Sequence, residues 1–373
     1  MKLLVISHTR HYISEDGSIV GWGPTINELN NLIEEFDEIV HVAMLHSGMP
    51  PQSSLPYTSS KIKFVALPAL GGQTIFSKLK MILNAPKIIR IVSKEIKNSD
   101  LFQLRTPTGI GVILIPFLTF FTKMNGWYKY AGNWKQVNKP LGYRLQKWML
   151  KNQKRKVTIN GNWENQAKNV LTFENPCLTV EDRLIGKNIV ENKKLTEKKN
   201  YCFVGGLNYN KGIDKIIKAF KLHPSENIGT LHIVGDGELK TMVEKEANQL
   251  SINVKIHGSL PKNEVQEIYK NSHFILVPSK NEGFPKVIGE AMNFGCVPVV
   301  SNVSCIGQYV KNDYNGFLIQ PNTIENLKSI IKKSSQITED HYKIYIDINY
   351  KLANKFTYQY YIDQINIDII NEN

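Results

Sequence analysis

The sequence predicts an α/β protein made of two parallel-sheet halves in tandem. Short apolar runs alternate with segments of helical period along the whole chain, as βαβ units require. Glycine turns follow several of those runs, where strands feed helices. The 373 residues also divide their charge unevenly: residues 1–180 hold 22 Lys+Arg against 11 Asp+Glu, and residues 181–373 hold 24 against 22. Nearly all of the net +13 therefore lies in the first half, which points to an anionic partner for that half. With 42% hydrophobic and 21% charged residues, wholesale disorder and collagen-like repeats are excluded.

In the first half, Leu3–Ser7, Glu38–Leu45, Ile62–Leu67, Leu101–Leu104 and Val157–Ile159 read as strands. Thr25–Phe36 reads as a helix, and Lys78–Lys97 as a helix broken near Pro86. The N-terminal Met1–Ser7 is too short for a signal h-region, and the apolar run Ile110–Phe121 is too short to span a membrane, which takes about 20 residues. Cys177, Cys202, Cys296 and Cys305 form no CxxC pair, so free buried thiols in a cytoplasmic protein are expected.

In the second half, strands are expected at Tyr201–Val204, Thr230–Val234, Val254–His257, Phe274–Val277 and Val297–Ser301, with helices between them and mostly helix from Glu325 onward. Ligands of such sheets sit beyond the carboxyl ends of the strands. The densest text there is PSKNEGFPKVIGEAMNFGCVPVVS, Pro278–Ser301. Pro285 suits the start of a helix, which puts Glu282 in the preceding loop and Glu290 within the helix. Carboxylates suit ribose and sugar hydroxyls, and helix-start N–H groups near Gly283, Phe284 and Pro285 suit anionic or sugar oxygens. Two further glycine turns, Gly205-Gly206 and Gly235-Asp236-Gly237, follow strands, and Lys211 offers a point charge to a diphosphate.

The ordered motifs GGLNYNKGID, IVGDGEL, HGSLPKNEVQEIYKNSHFILVPSKNEGFPKVIGEAMNFGCVPVVS and NGFLIQP resemble the C-terminal half of the retaining glycosyltransferases of family four, the glycosyl transferases group 1. That resemblance implies a GT-B fold, two Rossmann-like doubly wound domains facing each other across a cleft. Residues 1–180 would be the acceptor-side domain and 181–353 the nucleotide-sugar domain, with a terminal helix of about 354–373 packing back on the first. It implies that Glu290 holds the donor ribose, Glu282 the transferred sugar and Lys211 the diphosphate, with Gly205, Gly206, Gly235, Gly283, Phe284 and Pro285 close to the donor. The family usually places Arg where this chain has Gly206, so leaving-group stabilisation would come from Lys211 and backbone donors, or from another cation such as Lys286.

The first half resembles the family more loosely. Gly21-Trp22-Gly23-Pro24-Thr25 corresponds to a glycine loop whose N–H groups would face the donor phosphate. A family histidine after a mid-domain strand is replaced by Arg105, a catalytic candidate, and His8 is an acceptor-side candidate. No Asp-x-Asp occurs, so no metal and no cofactor are expected beyond the nucleoside-diphosphate sugar donor. Lys123–Lys168 holds 11 Lys+Arg against Glu164 alone, with Trp127, Trp134, Trp148 and Trp163 interleaved. Within it Leu141–Lys156 reads as an amphipathic helix with Leu141, Leu145, Trp148 and Met149 on one face. It suits an anionic membrane surface as well as a core-facing helix with a solvated basic back, and no nucleic-acid motif is present.

The expected activity is a metal-independent, retaining hexosyl- or related transfer to a lipid-linked or polysaccharide acceptor in cell-surface glycan synthesis. The expected location is the cytoplasm, peripherally on the inner membrane face. Two alternatives stand: an epimerase or hydrolase of nucleotide sugars, and a decayed enzyme kept as a basic membrane- or nucleic-acid-binding protein.

Overall fold

The computed structural model describes residues 1–72, 74–222 and 226–371. The chain divides into two compact units, one of Met1–Glu174 plus the stretch from Tyr361, the other Asn175–Tyr360.

The first unit contains β1 (Lys2–Ile13), β2 (Ile19–Trp22), α1 (Gly23–Leu32), β3 (Glu38–Leu45), β4 (Ser54–Pro56), β5 (Ile62–Pro68), α2 (Ile75–Leu83), α3 (Ala85–Ile96), β6 (Leu101–Thr106), α4 (Gly111–Phe121), β7 (Asn125–Tyr130), α5 (Leu141–Lys151), β8 (Val157–Ile159) and β9 (Val170–Thr172). Its parallel core runs β5-β3-β1-β6-β7-β8-β9. Beyond a register shift between Ile6 and Arg10, β1 extends into an antiparallel pairing with β2, and β2 pairs with β4. Alternate residues of β1 enter different clusters: Leu4 and Ile6 pack with Met81, Ile88, Leu114 and Leu150, while Leu3 and Val5 pack with Leu29, Leu32, Tyr361 and Ile365. Since successive strand side chains point to opposite faces, α2–α5 cover one face of the sheet, and α1 with the C-terminal segment covers the other. Burial on both faces is why β3 is apolar from Ile39 to Leu45 save for the buried His41.

The second unit contains α6 (Val180–Asn192), β10 (Lys199–Val204), α7 (Ile213–Lys221), β11 (Ile228–Val234), α8 (Lys240–Ala247), β12 (Asn253–Gly258), α9 (Lys262–Asn271), β13 (Phe274–Val277), α10 (Lys286–Asn293), β14 (Val297–Ser301), α11 (Ile306–Tyr309), β15 (Phe317–Ile319), α12 (Ile324–Ser335), α13 (Glu339–Ala353) and the start of α14 (Tyr358–Ile365). Its all-parallel sheet has the order β12-β11-β10-β13-β14-β15, the doubly wound order with the switch point between β10 and β13. Thr179 caps α6 with a reciprocal capping box to Asp182, and Thr323 and Thr338 cap α12 and α13.

Several expectations are refined. The domain boundary falls at 174/175 instead of 180/181, because Cys177 and Leu178 donate to Phe356 O and Tyr358 N–H donates back to Leu178 O. The C-terminal segment joins the first unit from Tyr361, not from 354; residues 372 and 373 of that expected helix lie outside the described residues. The helix from Leu141 stops at Lys151, since Arg155 turns back to donate to the carbonyls of Thr122 and Met124. The face of α5 expected to be apolar points outward: Leu141, Leu145 and Trp148 are exposed, while Gln146 is buried and holds the backbone of Thr108. All four cysteines are free and buried. Among the described residues, no helix is long and apolar enough to cross a membrane.

Candidate functional site

The second unit gathers Lys211, Glu282 and Glu290 on the elements after β10 and β13. Lys211 precedes α7, and Glu282 lies in the loop between β13 and α10. The two loops are pinned together by Lys280 N–H to Asn210 O at 2.7 Å and by Asn210 Nδ2 to Asn281 O at 3.0 Å. On this frame Lys211 Nζ donates to Glu282 Oε1 at 2.6 Å, with both side chains still reachable by solvent. Pro278 and Ser279 carbonyls are held by Asn322 Nδ2, and Ser279 O also accepts from Ser301 Oγ at 2.6 Å. Asn322 follows the NGFLIQP motif; the motif was legible in the sequence, but the role of its asparagine in fixing the glutamate loop was not.

Glu290 sits on α10, half-buried, and its Oε2 accepts from Tyr269 Oη at 3.1 Å. Burial pushes its carboxyl above the usual carboxylate range, against the opposing hydrogen bond from Tyr269 and the charges of Lys286 and Lys262. Pro285 is the N-cap of α10, one position earlier than expected, and leaves the following helix-start N–H groups pointing back along the loop. Phe284 is an anchor, stacked on Phe356 at 4.7 Å and edge-on to Tyr309 at 4.9 Å. Its carbonyl accepts from Asn175, and that of Gly283 from Cys305 Sγ.

The two glycine turns pack on one another. A Cβ on Gly235, whose φ is +133°, would lie 1.9 Å from Gly205 O, so loop-on-loop contact already demands glycine there. Leu207 N–H donates to Asp236 O, and Leu239 N–H to Leu207 O. At Gly206 the closest atom to an added Cβ is the flexible Asn208 Nδ2, at 3.0 Å.

In the first unit the expected phosphate-facing glycines are otherwise engaged. Gly21 lies inside β2, paired to His11 and Leu55, and Gly23 N–H donates to Ser53 O at 3.0 Å. Gly21 thus lies in a strand paired on both sides and Gly23 at a helix entry, and the Gly23 N–H is not available to a phosphate. Arg105 is used internally: its guanidinium donates to Glu28 at 2.6 Å, Gln103 at 3.0 Å and Thr25 at 3.3 Å. Lys129 reaches the same Glu28 oxygen at 2.5 Å and lies 4.4 Å from the Tyr361 ring centre. In this structure the Arg105 guanidinium is thus engaged by side chains of the first unit. Glu28 and Lys129 escape a reading by motif, because their pairing joins residues 101 positions apart. His8 Nε2 donates to Leu70 O at 2.8 Å, and burial lowers its pKa. It lines a cavity of about 340 Å³ with Thr9, Arg10, Tyr12, Trp22 and Ser53.

The chain resembles solved structures over its full length. HepE of Anabaena, solved in complex with UDP and glucose, superposes with a TM-score of 0.70 at 16% identity, covering 100% of both chains. The sucrose-phosphate synthase of Thermosynechococcus elongatus gives 0.73 at 15% identity over 98% of each. The fold is GT-B. Within it, residues 185–349 match the family model of glycosyl transferases group 1, so that family's segment carries Lys211, Glu282 and Glu290. An uncharacterized glycosyltransferase of Haemophilus influenzae is 33% identical over 172 residues, 44% of this chain and 46% of that protein. The UDP-Gal:alpha-D-GlcNAc-diphosphoundecaprenol alpha-1,3-galactosyltransferase of Escherichia coli is 37% identical over 110 residues, 29% of this chain and 27% of that protein. The chain thus spans less than half the length of either curated relative.

Proposed function

We propose that the protein is a retaining, metal-independent glycosyltransferase that moves a sugar from a nucleoside-diphosphate sugar to a hydroxyl of a lipid-linked or polysaccharide acceptor. The observation that carries this reading is the Lys211–Glu282 pair, held by interlocked loops at the carboxyl ends of β10 and β13, with Glu290 on the helix that follows. Lys211 would leave Glu282 for the diphosphate and stabilise the charge that develops as the sugar–phosphate bond breaks. Glu282, so released, would accept from hydroxyls of the transferred sugar, and Glu290 from those of the ribose. The new bond forms from the acceptor oxygen to the sugar carbon that the diphosphate leaves, and the acceptor proton departs with phosphate or solvent. The relatives' names support a nucleotide-sugar donor, since one names UDP-Gal and a fold neighbour is solved with UDP and glucose. The basic first half suits an acceptor displayed at an anionic membrane surface.

The test is thermal stabilisation by a panel of nucleotide sugars, followed by transfer to candidate acceptors with and without EDTA. A ligand at 100 times its dissociation constant adds about 2.7 kcal/mol. Donor consumption that needs no acceptor would instead favour the epimerase or hydrolase, and silence across the panel would favour the decayed enzyme.

A further inference from the structure

Between Asp100 and Glu164 the chain contains no acidic residue, and this stretch folds into β6, α4, β7, α5, β8 and the loops that join them. Two of its lysines, Lys139 and Lys147, converge on the buried Trp134, and the charge of a third, Lys135, acts on both. Lys139 Nζ and Lys147 Nζ donate to the same carbonyl oxygen, that of Trp134, at 2.5 and 2.7 Å, so the two ammonium groups lie side by side. Both also face the Trp134 ring, and Lys135 lies over Trp163. Among the described residues none of the three makes an ion pair. Burial and the neighbouring charges of Lys147 and Lys135 hold the Lys139 ammonium down to about 7. Like charges held on one acceptor repel, and a single multivalent anion between them would turn that repulsion into attraction.

What surrounds the cluster narrows the anion. Leu141, Leu145 and Trp148 of α5, the helix that carries Lys147, are exposed, as are Phe120 and Phe121 at the end of α4, which packs on α5. Exposed aromatic and aliphatic side chains in such number mark an interaction surface. A nucleic acid would meet the lysines and leave these side chains in water. A bilayer meets both, with phosphates at the level of the ammonium groups and acyl chains beneath.

We propose that Lys135, Lys139 and Lys147 form a seat for the phosphate of an anionic lipid headgroup, on a face of the first unit whose apolar side chains enter the bilayer beside it. The inference deepens the membrane-side reading above and rests on it for location, but on no part of the donor chemistry. It also corrects the picture of free basic residues on α5: Lys147 is half-buried and committed to the cluster, not spread on the surface.

Flotation of the full chain with phosphatidylcholine vesicles, with and without phosphatidylglycerol, tests it in the absence of any donor. Wild type should float with the anionic vesicles at low salt and scarcely with the neutral ones. Lys135→Gln/Lys139→Gln/Lys147→Gln should bind about 100-fold more weakly, near fivefold for each lysine. The matching triple Lys→Arg variant should retain binding, and an unchanged thermal shift with UDP would report an intact second unit. Phe120→Ser/Phe121→Ser, at exposed positions, should also lose binding. The inference is overturned if the Gln variant floats like wild type or if phosphatidylglycerol makes no difference. It is equally overturned if inorganic phosphate binds saturably while vesicles do not, or if an RNA oligonucleotide binds and vesicles do not. Transfer to a soluble acceptor with no vesicle binding would sink this inference and leave the proposed activity standing.

Discussion

Lys211 and Glu282 neutralise each other across 2.6 Å, and the pair joins the loop after β10 to the loop after β13. On the proposed reading the charge meant for the donor diphosphate is therefore already engaged, and binding would have to divide the pair. Part of the donor's affinity is offset by the lost contact, and the sugar recovers it only if its hydroxyls occupy Glu282.

Glu282→Gln should thus tighten binding of bare UDP by a few-fold, since a carboxylate near the diphosphate is removed and Lys211 is freed; a partly exposed pair contributes about 0.2–1 kcal/mol. The same variant should lose most sugar transfer. Lys211→Met should weaken UDP roughly 10- to 100-fold, as expected for charge-assisted hydrogen bonds of about 1.5–3 kcal/mol. Titration calorimetry with UDP distinguishes these outcomes, and weaker UDP binding by Glu282→Gln would contradict the competition.

Glu290 gives a pH signature. Burial raises its pKa, so the ionised form, to which the proposed reading gives the ribose hydroxyls, is lost at a higher pH than for an ordinary carboxylate. UDP affinity should fall on acidification through that raised range, and Glu290→Gln should be weak and flat there. The hydrogen bond from Tyr269 favours the carboxylate, so Tyr269→Phe should move the loss to still higher pH. An unmoved profile in the Phe variant would remove Tyr269 from this role.

The glycines of the second unit separate into two kinds. Gly235→Ala places a Cβ against Gly205 O at a positive φ and should destabilise the unit by about 1–3 kcal/mol or more. Gly206→Arg, which restores the side chain usual in the resembled family, meets only the movable Asn208 amide. It should fold and bind UDP more tightly, by about tenfold for one added charge-assisted hydrogen bond. Equal stability losses at both positions would show that Gly206 too is fixed by packing.

These contrasts mark what the sequence could disclose. The alternation of short strands and helices announced both sheets, and the text from Pro278 to Ser301 placed a loop glutamate and a helix glutamate correctly, because motif and local structure coincide there. Five strands were missed: β2, β4, β9 and β15 are only three or four residues long, β2 forming on the extension of β1 and β4 on β2, while β7 opens on Asn125-Gly126. The periodicity of α5 disclosed its amphipathic face but not which way it turned; that is decided by buried Gln146, a polar residue bonded to a loop 38 positions earlier. Likewise nothing local to Arg105 predicts Glu28.

Arg105, Glu28 and Lys129 make a stability prediction. One carboxylate, 2% exposed, answers two cations, so Glu28→Gln leaves two positive charges facing each other in a buried place. Breaking such a pair costs about 3–5 kcal/mol. Arg105→Ala should lower the denaturation midpoint by less, since Lys129 still answers Glu28, and should leave UDP affinity unchanged. If Arg105→Ala abolished turnover at undiminished stability, Arg105 would regain its place as a catalytic candidate.

The last prediction concerns Lys139. Its folded pKa is held at about 7, mainly by burial, then by Lys147 and Lys135, against an ordinary value of 10.5. Between those values the unfolded chain binds the extra proton, so stability should rise with pH across the window. Below pH 7 both states are protonated and the full penalty of the crowded ammonium persists. Lys139→Met, which keeps an unbranched apolar stem, should therefore be more stable than wild type at pH 6, and that advantage should shrink as pH climbs toward 10. The other charges acting on this site, Lys147, Lys135 and Lys151, remain in the variant and largely cancel in the difference. Urea midpoints at several pH values check this, and a difference independent of pH would count against it. The same shift predicts proton uptake on seating a phosphate, because an anion raises the Lys139 pKa back toward its ordinary value. Protein mixed with phosphatidylglycerol vesicles in weak buffer near pH 8 should take up protons, and Lys139→Met should take up fewer. Equal uptake by the two proteins would place the anion elsewhere.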